Sequence, residues 1–419
     1  MTEFTKYCMQ KELKFWLQVA LVNLLILAFI GTVLRYKIAY YLPFVDQKHL
    51  LQGHSHFAFG GWVTQALMAL MVEYLRSNGL EHAFKKYFLL LFANLFTAYG
   101  MLVAFPIEGY GVLSIIFSTL SIFVAYVFAF VFWKDLNRIT NNNTSKLWFK
   151  SAVIFNEISY IGAFSLAFMM ANKIVHEKWY LSAVYFFLHF QYNGWFFFAI
   201  MGLFIAKLNS IGIQSKSLKT IFNLFLFALA PAYFLSVLWM KIPFWLYAFV
   251  VLASIFQIVG WVWLVKILLR NKKLFKENIS RFGGVLLKLV AIAFSVKLLL
   301  QAGSTHPSLS QLAFGFRPIV IGYLHLVLLG VITLFILSFI VVNKYLVSTP
   351  LFSKGIVVFT IGIILNEALL MTQGLFGMQN MSIDHINQYL LIAALILFFG
   401  VLLVVISQLK KVENTIYVH

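Results

Sequence analysis

Long apolar runs separated by short polar links repeat from one end of the chain to the other. Run after run reaches about 18–25 residues, the length a helix needs to cross a bilayer. Twelve spans are expected on this pattern. They lie at roughly 15–34, 54–75, 85–105, 110–133, 151–172, 180–206, 219–240, 243–266, 284–302, 317–342, 355–376 and 385–408, with ends loose by about 2–4 residues. The links are short, the longest being about Lys134–Lys150 and Lys266–Arg281. The expected architecture is an all-α polytopic membrane protein, one twelve-helix domain over residues 1–419.

Composition agrees. At 62% hydrophobic and 11% charged, the chain is too apolar for a soluble domain. Its net charge of +19 would suit a nucleic-acid partner, but the placement of the charges argues against one. Of the 32 Lys and Arg, 23 fall at the termini and in the even-numbered links, against 7 in the odd-numbered links. Two more, Lys288 and Lys297, lie inside the ninth span. The positive-inside rule then puts both termini in the cytoplasm of a cell whose inner membrane holds the chain. The basic excess reads as orientation and contact with lipid headgroups, with no nucleic-acid partner. The single cysteine, Cys8, allows no internal disulfide and no thiolate metal site. Lys6, Lys11 and Lys14 precede a long apolar run without a small-residue cleavage motif, so an uncleaved first helix is expected.

Candidate chemistry comes from histidine. His56, His189 and His325 stand 133 and 136 residues apart, and each is followed five residues on by glycine: Gly61, Gly194, Gly330. Tryptophan follows in two cases, Trp62 and Trp195. The spacing implies pseudo-threefold repeats of four helices, with spans 2, 6 and 10 equivalent and all three histidines in the outer half of the membrane. Histidine at lipid depth is a functional-site hypothesis by default. His54 and His56 are two residues apart, so they point about 200° apart on a helix and serve different neighbours. Both can also be interface residues bonded to water, and His189 can be a plain interhelical hydrogen-bonding residue. His49, His82, His176, His306, His385 and His419 fall in links or at span ends and read mostly as solvated, with His306 and His385 on the same side as the proposed site. Glu157 after Asn156 and Glu367 after Asn366 are carboxylates at lipid depth, candidates for a proton path or for helix-to-helix hydrogen bonds. Arg317 opens the tenth span and suits a haem propionate or a simple interface anchor.

Twelve helices with both ends inside, and histidines on spans 2, 6 and 10, resemble the catalytic subunit of haem–copper oxidases and nitric oxide reductases. Gly322-Tyr323-Leu324-His325 resembles the family's helix-10 segment, in which the second histidine holds the low-spin haem and the first the high-spin one. His325 matches the former, and Tyr323 stands in place of the latter. His56 or His54 matches the helix-2 ligand. The His189-x4-Gly194-Trp195 segment is similar to the reductase helix 6, whose histidine binds a non-haem metal; Asn193 stands where that family has glutamate. Spans 7 and 8 hold no histidine, so the usual three-histidine copper site has no ligand set. The His54-Ser55-His56 pair also resembles NnrS-like proteins, haem- and copper-containing relatives linked to nitric oxide stress.

The resemblance implies a haem b protein with a degenerate copper site, acting in electron transfer or nitric oxide handling. One haem is expected between His56 and His325. His54 and His189 are expected to share a second haem, or a copper or non-haem iron ion. The implied electron source is a redox partner subunit or a quinol. The rival readings are a haem-binding sensor without turnover and a haem-free transporter built on the buried acids.

Overall fold

The computed structural model describes residues 3–140, 144–240, 242–306, 309–310 and 316–409, and the chain is helical almost throughout, with no strand among those residues. A helix lies over every expected apolar run. In chain order these are α1 (Glu3–Ala39), α2 (47–77), α3 (Ala83–Glu108), α4 (Val112–Arg138), α5 (Thr144–Ala171), α6 (177–210), α7 (Ser217–Val237), α8 (Phe244–Arg270), α9 (Arg281–Gly303), α10 (Arg317–Asn343), α11 (Pro350–Met378) and α12 (Ile386–Leu409). A short helix, Lys272–Asn278, joins α8 to α9.

Ten of these are long and apolar enough to cross a membrane. The other two, α2 and α6, are of similar length but more polar, carrying His54, His56, Gln65 and Glu73, and His189, Gln191 and Asn193. Their position accounts for the polarity. Residues 61–63 and 65–75 of α2 and 189–203 of α6 are buried, so these faces meet protein and not lipid. The third such helix is α10, whose most apolar window is 83% buried, against 22% for α4. These three helices form the centre. They touch one another directly, and each is flanked by its chain neighbours: α1 and α3 on α2, α5 and α7 on α6, α9 and α11 on α10. Packing of α12 on α1 closes the outer ring.

The three central helices share one irregularity. Each turns from α to π geometry one or two residues after its histidine: Ala58–Thr64 after His56, Phe190–Phe196 after His189, Leu326–Thr333 after His325. A π segment inserts an extra residue and disturbs the carbonyl pairing of the helix. In α2 the disturbed carbonyls are capped from outside. Asn94 Nδ2 of α3 donates to the Gly60 carbonyl at 3.0 Å, and Asn23 Nδ2 of α1 donates to that of Gly61. Asn94 also donates to Gln65 Oε1 at 2.8 Å, and Tyr99 Oη donates to Asn23 Oδ1 at 2.8 Å.

The glycine five residues after each histidine has a packing role. A Cβ on Gly194 would come within 2.7 Å of Phe155 Cβ on α5, and one on Gly330 within 3.3 Å of Ala293 on α9. On Gly61 it would meet Phe57 at 2.5 Å. The tryptophans cross between central helices. Trp62 Nε1 of α2 donates to Thr333 Oγ1 of α10 at 2.9 Å, and Trp195 Nε1 of α6 donates to Thr64 Oγ1 of α2 at 3.3 Å. In both pairs tryptophan lies six residues after its own histidine and threonine eight after the neighbour's.

Candidate functional site

Two groups of polar residues lie on opposite faces of α10. Tyr323 and His325 are two residues apart, so helix geometry sends them in opposing directions. His325 faces α2 and α1, and Tyr323 faces α6.

The first site gathers side chains from four helices. His325 donates from Nδ1 to the Ile321 carbonyl at 2.8 Å, one turn back on its own helix. That bond fixes the tautomer and leaves the Nε2 lone pair uncommitted, the arrangement a metal-binding imidazole needs. His54 of α2 lies close enough to His325 for their charges to interact, and Arg35 of α1 is an electrostatic neighbour of both. His54 Nδ1 is buried and has no hydrogen-bond partner in the protein. The ring sits against Gly31 of α1, where a Cβ would come within 3.3 Å of its Cε1. Glu367 of α11 is Arg35's acidic neighbour. It accepts from Asn366 Nδ2 at 3.1 Å on Oε1, while its Oε2 is buried without a partner.

His56 takes a different direction from the one expected. Its ring stacks on Phe105 of α3, with centroids 4.3 Å apart and planes 10° apart, and its Nε2 lies 3.4 Å from Tyr110 Oη. The histidine facing α10 is thus His54, in place of the expected His56, and His56 packs on α3. The rotation of α2 decides this. Gly53 seats against Pro106 of α3, where a Cβ would be 3.0 Å from the ring, and this contact turns His56 toward α3.

The second site is a cavity of 130 Å³ between α6, α7, α9, α10 and α11. His189, Tyr192 and Tyr323 line it, with Gln301 of α9 and Met371 of α11 opposite. Both ring nitrogens of His189 are engaged. Nε2 donates to the Leu229 carbonyl at 2.9 Å, and Nδ1 accepts from Asn193 Nδ2 at 3.2 Å. The Leu229 carbonyl is available because α7 tightens to 3₁₀ geometry from Tyr233, whose N–H bonds instead to residues 230 and 231. A metal at His189 would have to displace one of these bonds. Among the described residues no group of three or more His, Cys, Asp and Glu side chains could hold a metal ion. The residues present therefore do not fit copper or non-haem iron, and His54, directed to α1 and α10, does not join His189.

The remaining candidates are dispersed. Glu157 accepts from Asn156 Nδ2 at 3.4 Å on Oε1 and has a buried, unpartnered Oε2. The neighbouring Asn156 Oδ1 and Ser159 Oγ each take a hydrogen bond from Gln191 Nε2 at 2.8 Å. Arg317 is exposed at the first residue of α10. Lys297 is buried, its Nζ 5.3 Å from the Phe294 ring centroid. His419 lies outside the described residues.

Two residues of these sites carry no sequence signal of their own. Arg35 stands one residue past the expected end of the first span and reads there as a loop cation; α1 runs on to Ala39 and carries it into the bundle. Gln301 reads as the end of a span. Searched against models of known protein families and against curated proteins, the chain matches none.

Proposed function

We propose that this chain is an integral membrane protein that binds haem b and carries electrons, the iron held between His54 of α2 and His325 of α10. The observation that carries the reading is the state of these two imidazoles. His325 has its Nδ1 tied back and its Nε2 open, while His54 has its ring beside the Leu27 carbonyl of α1 and its Nδ1 buried without a hydrogen-bond partner. Buried polar atoms normally find a partner, so the vacancy at His54 asks for a ligand. Arg35 supplies the cation that a haem propionate would need, in the role first expected of Arg317. Two imidazoles on one iron leave no open coordination position, which favours one-electron transfer over small-molecule chemistry. Nitric oxide handling would require one imidazole to let go. The electron source would be a partner subunit or a membrane quinol.

The same reading takes α2 and α6 as crossing helices, giving twelve in three repeats of four about a pseudo-threefold axis, with both termini in the cytoplasm of a cell whose inner membrane holds the chain. Its support is the recurrence of histidine, π segment and close-packed glycine on α2, α6 and α10, together with the two equivalent Trp-to-Thr bonds. At the third interface the corresponding positions are Val331 and Phe197, an apolar pair.

A reduced-minus-oxidised optical spectrum and a pyridine haemochrome assay on the purified chain test the proposal. The expected result is a b-type haem, lost in His54→Ala and in His325→Ala and retained in His56→Ala and His189→Ala. Absence of haem, or haem that survives both of the first two substitutions, overturns it. A haem-free transporter is the second reading, favoured by the unpartnered Oε2 atoms of Glu157 and Glu367, and the same spectrum separates the two.

A further inference from the structure

The cavity beside His189 has a size and a chemistry of its own. Its 130 Å³ is close to that of an engineered apolar cavity of about 150 Å³ known to bind benzene. The wall is mainly aliphatic and aromatic carbon. Tyr192 and Tyr323 stand edge to face in it, with centroids 6.4 Å apart and planes at 71°, and Met371 adds a polarisable sulfur. This is a wall on which a further aromatic ring packs well. No Asp, Glu, Lys or Arg is among the described lining residues, and both nitrogens of His189 are already bonded, so the wall itself offers a charged guest no counter-ion; Lys297, a buried electrostatic neighbour of His189, is not part of that wall. Gln301 lines the cavity and is 7% exposed; its Oε1 has no hydrogen-bond partner in the protein and almost no accessible surface, so a half-turn of the amide is what would present it to a guest. It asks for a donor.

We propose that this cavity binds a single neutral aromatic ring bearing a hydroxyl, of the phenol or hydroquinone class, with the ring between Tyr192, Tyr323 and Met371 and its O–H donating to Gln301 Oε1. A lipid-dissolved quinol headgroup and a small soluble phenol share this chemistry. The site lies on the other face of α10 from His54 and His325 and does not depend on haem being bound.

Calorimetric titration of the purified full chain tests this with phenol, hydroquinone, anisole and benzene as probes. Phenol and hydroquinone are expected to bind about tenfold more tightly than anisole, which has the ring but no donor for the glutamine. Gln301→Leu is expected to bring phenol and anisole to about equal affinity by removing the unpaired acceptor. Val320→Trp, which fills the cavity from the α10 wall, is expected to abolish binding of benzene as well, and it keeps the test open if the Gln301 variant does not fold. Equal binding of phenol and anisole by the unmodified chain overturns the proposal. So does no binding of either, a preference that survives Gln301→Leu, or binding that survives Val320→Trp. Hydroquinone with an isoprenoid tail, titrated in nanodiscs, distinguishes the two sources: a gain in affinity over the tailless ring assigns the site to a membrane quinol, and no gain assigns it to a soluble phenol. Because the readout is heat of binding, a chain without haem can pass this test and a chain with haem can fail it.

Discussion

Carbonyls displaced by a π segment must bond somewhere, since a buried unpaired backbone group costs about as much as a lost hydrogen bond. Asn94 and Asn23 take the two from Gly60 and Gly61, and both asparagines are almost fully buried. Asn94→Ala strips the cap from Gly60 and the donor from Gln65 Oε1 together. It is expected to destabilise the protein by about 1–3 kcal/mol, read as a lowered thermal midpoint in detergent, with Asn94→Leu no better because size is not what is missing. An unchanged midpoint would mean that water or a rearranged helix replaces the asparagine. The histidines show what single residues reveal in the sequence and what they hide. That His54 and His56 point apart follows from helix geometry alone. Which of them faces α10 depends on how α2 is rotated, and that is set by Gly53 against Pro106, a contact between helices that no local pattern encodes. Gln301 was hidden for a related reason: its importance is an absent partner, and absence shows only when every neighbour is in place.

Elements were legible where lipid dictates their composition and less so where it does not. The apolar runs located the twelve long helices, but counting apolar residues misses polar first turns and the short linking helix Lys272–Asn278. The second span is expected from residue 54, yet α2 begins at Gln47, capped by Asp46, whose carboxylate accepts the His49 N–H at 2.8 Å. The seven added residues move His54 from the mouth of the helix to its third turn. The π segments were illegible because the glycines of Ala58–Thr64, Gly60 and Gly61, signal a weak point in a helix without specifying π geometry. Contacts between elements are carried by small residues, as between α11 and α12, where a Cβ on Gly355 would lie 2.8 Å from Val404 N and one on Gly362 2.9 Å from Leu397 N. The cap on α2 makes a pH prediction. The His49 N–H beside Asp46 holds its carboxyl below the ordinary 3.8. A depressed carboxyl contributes fully above 3.8, and its contribution disappears as pH falls through the lower folded-state value. Hydrogen-exchange protection at His49 and Leu50 is therefore expected to hold at neutral pH and drop below pH 3.8, whereas in Asp46→Asn, whose amide caps without titrating, it stays flat. A drop of equal size in the Asp46→Asn chain would place the cause elsewhere.

At the scale of the whole molecule the open matter is how many helices cross the membrane. Ten do so on length and apolarity, while α2 and α6 fall short because their buried faces are polar. A helix sheathed by neighbours has no need of an apolar surface, so hydropathy underestimates the innermost members of a bundle. Charge placement favours twelve crossings through the alternation along the whole chain, 23 Lys and Arg against 7. If α2 did not cross, the links before and after it would share one side; the two carry three Lys and Arg each (Arg35, Lys37 and Lys48; Arg76, Lys85 and Lys86), so by themselves they do not separate the cases. Around α6 the count is two, Lys173 and Lys178, against three, Lys207, Lys216 and Lys219, so there too the support comes from the chain-wide alternation. Orientation follows Lys and Arg placement and not apolarity, which makes it an independent witness. Cys8 is the only cysteine, so replacing it with serine gives a clean background for labelling. Lys48 and Glu81 flank α2, Lys178 and Ser210 flank α6, and all four are exposed. Each is changed singly to cysteine and labelled in oriented vesicles with a membrane-impermeant maleimide. Cysteines at 81 and 210 are expected to react from the cytoplasmic face, and those at 48 and 178 from the opposite face. Both members of a pair reacting from one face would make that helix re-entrant, break the four-helix repeat, and place His54 or His189 at a different depth from His325.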